Sequence, residues 1–116
     1  MTALGRRAER LAHQIRGEVA DLIARGLKDP RIGFTTVTRV EVTDDLAHVR
    51  ILVSVLGADE VQQGTLKGLS SATGYIRHEI SHRLKLRRTP DLIFVLDHGA
   101  EESQRIEMLL QKLKRN

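Results

Sequence analysis

The strongest chemical signal in the chain is His78-Glu79-Ile80-Ser81-His82, an H-E-x-x-H pattern on an expected helix. That spacing sets two imidazoles one turn apart to hold zinc, with Glu79 placed to activate a water. Such a site would make the chain a zinc metalloprotease, with Glu102 as the residue to test as a third ligand. The plainer reading is coincidence of a short pattern. His82-Arg83-Leu84-Lys85 lacks the glycine and third histidine of the longer zinc-protease signature. Arg77 and Arg83 on the same helix oppose a bound dication. No Walker loop and no GxSxG occurs, and Asp44-Asp45 reads as turn chemistry rather than a catalytic carboxylate pair. The expectation is a non-enzyme with no metal and no cofactor.

The same stretch carries a second chemistry. From Ser71 to Pro90, Arg77, Arg83, Lys85, Arg87 and Arg88 stand against the single acid Glu79. The whole chain has 19 Lys and Arg against 15 Asp and Glu, a net charge of +4, so this segment holds the entire excess. Cations at that density suit RNA phosphates, whose neutralisation releases counterions, and arginine offers a planar fork to the oxygens. The candidate RNA contacts are therefore Arg77, Arg83, Lys85, Arg87 and Arg88, with His78 and His82 on a flank. The small junction Ser71-Ala72-Thr73-Gly74 joins them, and Arg6, Arg7 and Arg10 form a second candidate surface. Lys112, Lys114 and Arg115 read instead as complements to a helix C-terminal dipole. Phe34, Tyr75 and Phe94 are the only aromatics. Phe94 falls in an apolar strand and Phe34 opens another, while Tyr75, beside the kink, is weighed as an RNA contact but expected in a core or hinge role. Recognition by shape and phosphate geometry, rather than base stacking, is the expectation.

These residues need positioning elements. Arg6 to about Arg25 has Leu11, Ile15, Val19, Leu22 and Ile23 at helical spacing, and Gly26 with Asp29-Pro30 ends it. Phe34–Val42 and Ala47–Val55 read as strands joined by Thr43-Asp44-Asp45-Leu46 in an antiparallel hairpin. In the second, Ala47, Val49, Ile51, Val53 and Val55 share one face. Asp59 is a candidate cap for a helix over Glu60–Ser71, with Val61, Leu66 and Leu69 inward. Gly64 and Gly68 weaken that helix by about 1 kcal/mol each relative to alanine. After a kink at Ser70–Gly74, Thr73–Leu84 carries Ile76, Ile80 and Leu84 on one stripe. Leu92–Leu96 is a buried strand, and Glu101–Lys114 is a helix with Ile106, Leu109, Leu110 and Leu113 as its stripe and acids at its start. The crossover from the second strand to the third predicts parallel pairing. The fold class expected is α+β, in the order α-β-β-α-α-β plus a C-terminal helix. A three-stranded mixed sheet would carry helices on one face.

Composition sets the outer bounds. At 116 residues and 41% hydrophobic content, one domain over 1–116 with its own core is expected, not a disordered tail. The absence of cysteine excludes disulfides, thiolate nucleophiles and cysteine-ligated zinc. No apolar run approaches the ~20 residues of a membrane span. Met1–Arg16 has polar or charged residues throughout and reads as no signal peptide. A cytoplasmic, monomeric protein is expected.

Several blocks in order resemble the ribosome-binding factor A family. They are Arg6–Ile15 with its Arg-x-x-Arg-x-x-x-x-Ile spacing, Lys28-Asp29-Pro30-Arg31-Ile32-Gly33-Phe34, and Val40-Glu41-Val42-Thr43-x-Asp45-Leu46. Ala72-x-Gly74-Tyr75-Ile76-Arg77-His78-Glu79-Ile80 and Leu86-Arg87-Arg88-Thr89-Pro90-Asp91-Leu92 follow, so the likeness covers nearly the whole chain. The resemblance implies a type II KH-like fold with an Ala-x-Gly interhelical kink in place of the GXXG loop that clamps single-stranded RNA in KH modules. It implies a cold-shock assembly factor that binds the small (30S) ribosomal subunit. Such a factor assists late processing of 16S rRNA near its 5′-terminal helix. A KH-like RNA binder with another target is the alternative.

Overall fold

The computed structural model describes the backbone of residues 3–115 and the side chains of residues 5–99, 106 and 108–114. The order of elements is α1 (Ala3–Ala24), β1 (Thr35–Val42), β2 (His48–Val55), α2 (Asp59–Ser71), α3 (Thr73–Leu84), β3 (Asp91–Leu96) and α4 (Gly99–Arg115). Strand β2 is central, antiparallel to β1 and parallel to β3. The expected α+β architecture with a mixed sheet is what the chain adopts.

Alternation in β2 decides the layers. Val49, Ile51, Val53 and Val55 are buried, and their partners Val37, Val40, Val42, Leu92, Phe94 and Leu96 share that face. Against them pack Leu11, Ile15, Val19 and Leu22 of α1, Leu69 of α2, and Ile76 and Ile80 of α3. The opposite face presents Arg39, Glu41, His48, Arg50 and Ile93 to solvent, and the molecule is only 18 Å thick. Two layers and one open sheet face follow from helices that cover one side only.

The hairpin turn works through its side chains. Asp45 Oδ1 accepts from the Thr43 hydroxyl (2.6 Å) and the Ala47 N–H (3.0 Å), and the strand begins at His48. Phe34 stands just before β1 rather than in it, with its carbonyl accepting from the Leu56 N–H. Between Val37 and Arg39 the register slips at Thr38, whose hydroxyl donates to Asp97 Oδ2 at 2.6 Å. That bond ties the bulge to the end of β3.

Helix α2 departs from the expected pattern. Its cap is Ala58, and Asp59 and Glu60 lie in the first turn, where their charge suits the positive helix end. Its buried residues are Gln62, Thr65, Gly68 and Leu69, whereas Val61 is exposed and Leu66 half-buried. The reason is that α2 packs against backbone. Thr65 Oγ1 donates to the Val61 carbonyl (2.7 Å) and accepts from the Gly33 N–H (3.0 Å). Gln62 Nε2 donates to the Gly57 carbonyl at 3.0 Å. Polar side chains are needed there because buried amides and carbonyls require partners.

Helix α4 begins with the Gly99 N–H donating to Asp97 Oδ1. Glu101 and Glu102, expected to serve its positive end, lie outside the described side chains. Its stripe does not join the core: Ile106, Leu109, Leu110 and Leu113 are 54–71% exposed. Among the described residues no helix is long and apolar enough to cross a membrane.

Candidate nucleic-acid interface

The junction between α2 and α3 is a single residue. Ala72, at φ −85° and ψ −2°, closes one helix and opens the next: its N–H donates to the Gly68 carbonyl, and its carbonyl accepts from the Ile76 N–H. The Thr73 hydroxyl donates to the Leu69 carbonyl at 3.1 Å. The loop after α1 is strapped to this kink. Arg31 donates through Nε to Asp29 Oδ1 (3.0 Å) and through Nη2 to Asp29 Oδ2 (2.6 Å), and through Nη2 also to Ser71 Oγ (3.0 Å). The Arg31 guanidinium holds the pKa of the Asp29 carboxyl down to about 2. Ser71 therefore anchors the loop to the end of α2.

The basic residues divide sharply. Arg77 is half-buried, donating through Nε to the Pro90 carbonyl (3.0 Å) and through Nη2 to that of Thr89 (3.2 Å), with Asp91 Oδ1 3.6 Å away. It fastens the start of β3 to α3. Arg83 reaches Glu18 Oε2 and Asp21 Oδ2 of α1, both at 2.9 Å through Nη1, and Glu79 Oε2 at 3.4 Å through Nε. Its side chain is 25% exposed, and its hydrogen bonds to Glu18 and Asp21 raise its pKa above the ordinary arginine value. Both arginines have structural employment. By contrast Lys85, Arg87 and Arg88 are exposed and join no ion pair or side-chain hydrogen bond among the described residues, and the same holds for Arg6, Arg7 and Arg10.

Chain direction brings these two free groups toward one end. Glu18 and Asp21 meet Arg83, while Gly26 and Leu27 face the same cleft as Tyr75, so α1 and α3 run antiparallel. The N-terminal arginines of α1 thus extend past the end of α3 where Lys85, Arg87 and Arg88 begin. The kink lies at the other end of α3, about 18 Å away along a 12-residue helix. Lys85 itself adopts the left-handed conformation, φ 54° and ψ 48°, to close α3. That conformation costs a non-glycine residue about 1–2 kcal/mol, and places a cation at a turn where glycine would be cheaper.

His78 and His82 are exposed, with rings stacked at 6° and centroids 6.5 Å apart. Glu79 does not join them, because its carboxylate faces Arg83. Among the described residues no three His, Cys, Asp or Glu side chains are grouped to hold a metal ion. Glu79 is thus turned to Arg83 and not toward the two imidazoles, where a zinc hydrolase needs its glutamate, and Glu102 lies outside the described side chains.

Two residues outside the expected set border the kink. Tyr75 is 55% exposed, not in the core, and forms a cleft of about 440 Å³ with Gly26, Leu27, Lys28, Asp29, Ser71 and Ala72. Lys28 there has no ion-pair partner among the described residues. Helix α3 directs Ile76 and Ile80 inward, which turns the adjacent Tyr75 outward; that phase is the signal the sequence carries for it. The position of Lys28 depends on the fold of an irregular loop.

Residues 7–110 match the family described as Ribosome-binding factor A. A protein of that name from Desulforamulus reducens is 48% identical over 110 residues, 95% of this chain and 92% of its own. The crystal structure of ribosome-binding factor A from Thermus thermophilus superposes with a TM-score of 0.67 at 27% identity, covering 77% of this chain and 94% of that one. A homology model of the Thermus thermophilus factor, as fitted into the cryo-EM map of a 30S–RbfA complex, gives 0.64 at 26% identity, covering 75% and 91%.

Proposed function

The chain belongs to the ribosome-binding factor A family, and on that premise we propose that it docks on the small ribosomal subunit through 16S rRNA. There it assists late maturation of that RNA near its 5′-terminal helix. It acts by binding rather than catalysis, as a monomeric, cytoplasmic, KH-like unit. The observation that carries this reading is the set of unpaired cations Lys85, Arg87 and Arg88 with Arg6, Arg7 and Arg10 toward the same end. The Thermus relative seated in a 30S map supports the choice of partner. Unpaired guanidiniums are free to exchange counterions for phosphates without first breaking an internal bond. Arg77 and Arg83 serve this surface from behind by fixing the α3–β3 loop and the α1–α3 angle, and His78 and His82 flank it.

The test is co-sedimentation with small subunits over a salt series. The triple variant Lys85→Ala/Arg87→Ala/Arg88→Ala is expected to bind more weakly. Its log–log salt slope should shrink by about 1 for each phosphate contact removed. Lys112→Ala/Lys114→Ala should bind like the parent. A triple variant with the parental slope would remove the surface proposed here. Association insensitive to both salt and RNase would identify a protein-only adaptor.

A further inference from the structure

We propose that the cleft between the α1–β1 loop and the α2–α3 kink captures one unstacked RNA base, stacked on Tyr75 with its phosphate on Lys28. The proposal rests on the RNA-docking reading above and adds a second, chemically different contact to it. Tyr75 is exposed on the wall of the cleft, and its hydroxyl has no hydrogen-bond partner among the described residues. A core or hinge tyrosine would bury its ring and satisfy its hydroxyl.

The opposite wall is the segment after α1, and it starts as bare backbone. Gly26 stands at φ +89°, a conformation that suits glycine, and a side chain there would point into open space. Gly74, next to Tyr75, likewise has nothing within 4 Å of where a Cβ would be, so the helix surface beside Tyr75 is open. The volume of about 440 Å³ falls in the range of about 300–1,000 Å³ for small-ligand sites. That is room enough for one nucleotide.

Charge selects the same occupant. Asp29 lines the cleft, but both its oxygens are engaged by Arg31, which leaves Lys28 as the unpaired charge. An aromatic face beside a lone cation is the pairing that binds single-stranded nucleic acid without sequence preference. The walls are also preorganised. The Arg31–Ser71 hydrogen bond ties the loop to the kink, so little ordering is needed on binding.

The chain has one tyrosine and no tryptophan, so its intrinsic emission comes from Tyr75 alone. The full chain is titrated with hexauridylate, hexaadenylate and a ten-base-pair RNA duplex, with absorbance corrected against N-acetyltyrosinamide. The expected result is saturable quenching by the single strands and none by the duplex. Tyr75→Leu should bind the hexamers about 5- to 150-fold more weakly, the range of one lost base–aromatic stack, and Tyr75→Trp should restore binding. Lys28→Ala should lower the salt slope by about 1. Unchanged emission at saturation, or parental affinity in Tyr75→Leu, overturns the proposal. So does equal quenching by the duplex. Co-sedimentation separates the two readings. If Tyr75→Leu joins small subunits as the parent does, the cleft is refuted and the cationic surface stands. If the parent binds neither hexamers nor subunits, the docking reading fails as well.

Discussion

Two glycines one turn apart on α2 should respond to alanine in opposite ways. A helix-interior glycine costs about 1 kcal/mol relative to alanine, so both substitutions gain that amount before packing is considered. At Gly64 a new Cβ would lie 3.8 Å from the Arg31 carbonyl, an ordinary contact, and the gain should survive. At Gly68 it would lie 2.6 Å from Ile32 Cγ1 and 3.3 Å from Asp29 Cγ. Carbon atoms pack at about 3.5–4.0 Å, so something must move by about 1 Å. Ile32 Cγ1 sits next to a branched Cβ with stiff χ1, so the loop backbone has to shift with it. Overpacking of that kind costs about 1–3 kcal/mol. The net expectation is about 1 kcal/mol of stabilisation for Gly64→Ala and about 0–2 kcal/mol of destabilisation for Gly68→Ala. Urea unfolding followed by far-ultraviolet circular dichroism reads both as shifts in midpoint at constant slope. If Gly68→Ala gains as much as Gly64→Ala, the loop does not rest on α2, and the cleft built from that loop loses its wall.

Three further outcomes follow from the same geometry. Arg83→Met should lower the urea midpoint clearly more than Arg87→Met, because only the first leaves Glu18 and Glu79 without their shared cation and Asp21 with Arg25 alone. Leu110→Ala should change stability by no more than about 0.5 kcal/mol, whereas Ile76→Ala should cost about 2–5 kcal/mol, since one side chain is exposed and the other fully buried. Asp29 is depressed in the folded state, so the stability it contributes is present above its unfolded value of 3.8 and is lost as pH falls toward about 2. Urea midpoints should therefore fall across that window, and less steeply in Arg31→Met, which removes the partner responsible.

Most of the fold is legible in the sequence because its elements have strong local periods. The stripe Leu11, Ile15, Val19, Leu22 and the alternation Val49, Ile51, Val53, Val55 each declare one buried face without reference to the rest of the chain. Helix α2 defeats the usual rule, which looks for apolar residues on the inward face. Part of its inward face meets backbone: the Gly33 N–H of the α1–β1 loop calls for Thr65, and the Gly57 carbonyl of the turn before the helix calls for Gln62. The stripe of α4 has the same spacing as that of α1 yet stays exposed, since periodicity prescribes an amphipathic helix and not a surface to cover it.

The candidate site shows the division most clearly. Residue order alone places the excess charge between Ser71 and Pro90 and sets a kink at the start of that segment. Which of those charges are free is settled only by folding. Arg83 and Arg87 are alike on paper, but Arg83 meets Glu18 and Asp21, which lie 65 and 62 positions away, and Arg87 meets no carboxylate among the described residues. Tyr75 and Lys28 become neighbours in the same way, through packing of a loop on a distant kink. Composition and spacing are local properties of the chain. The partner of a charge is a property of the folded surface, because Coulombic and hydrogen-bonded contacts act over a few ångströms in space regardless of separation along the backbone.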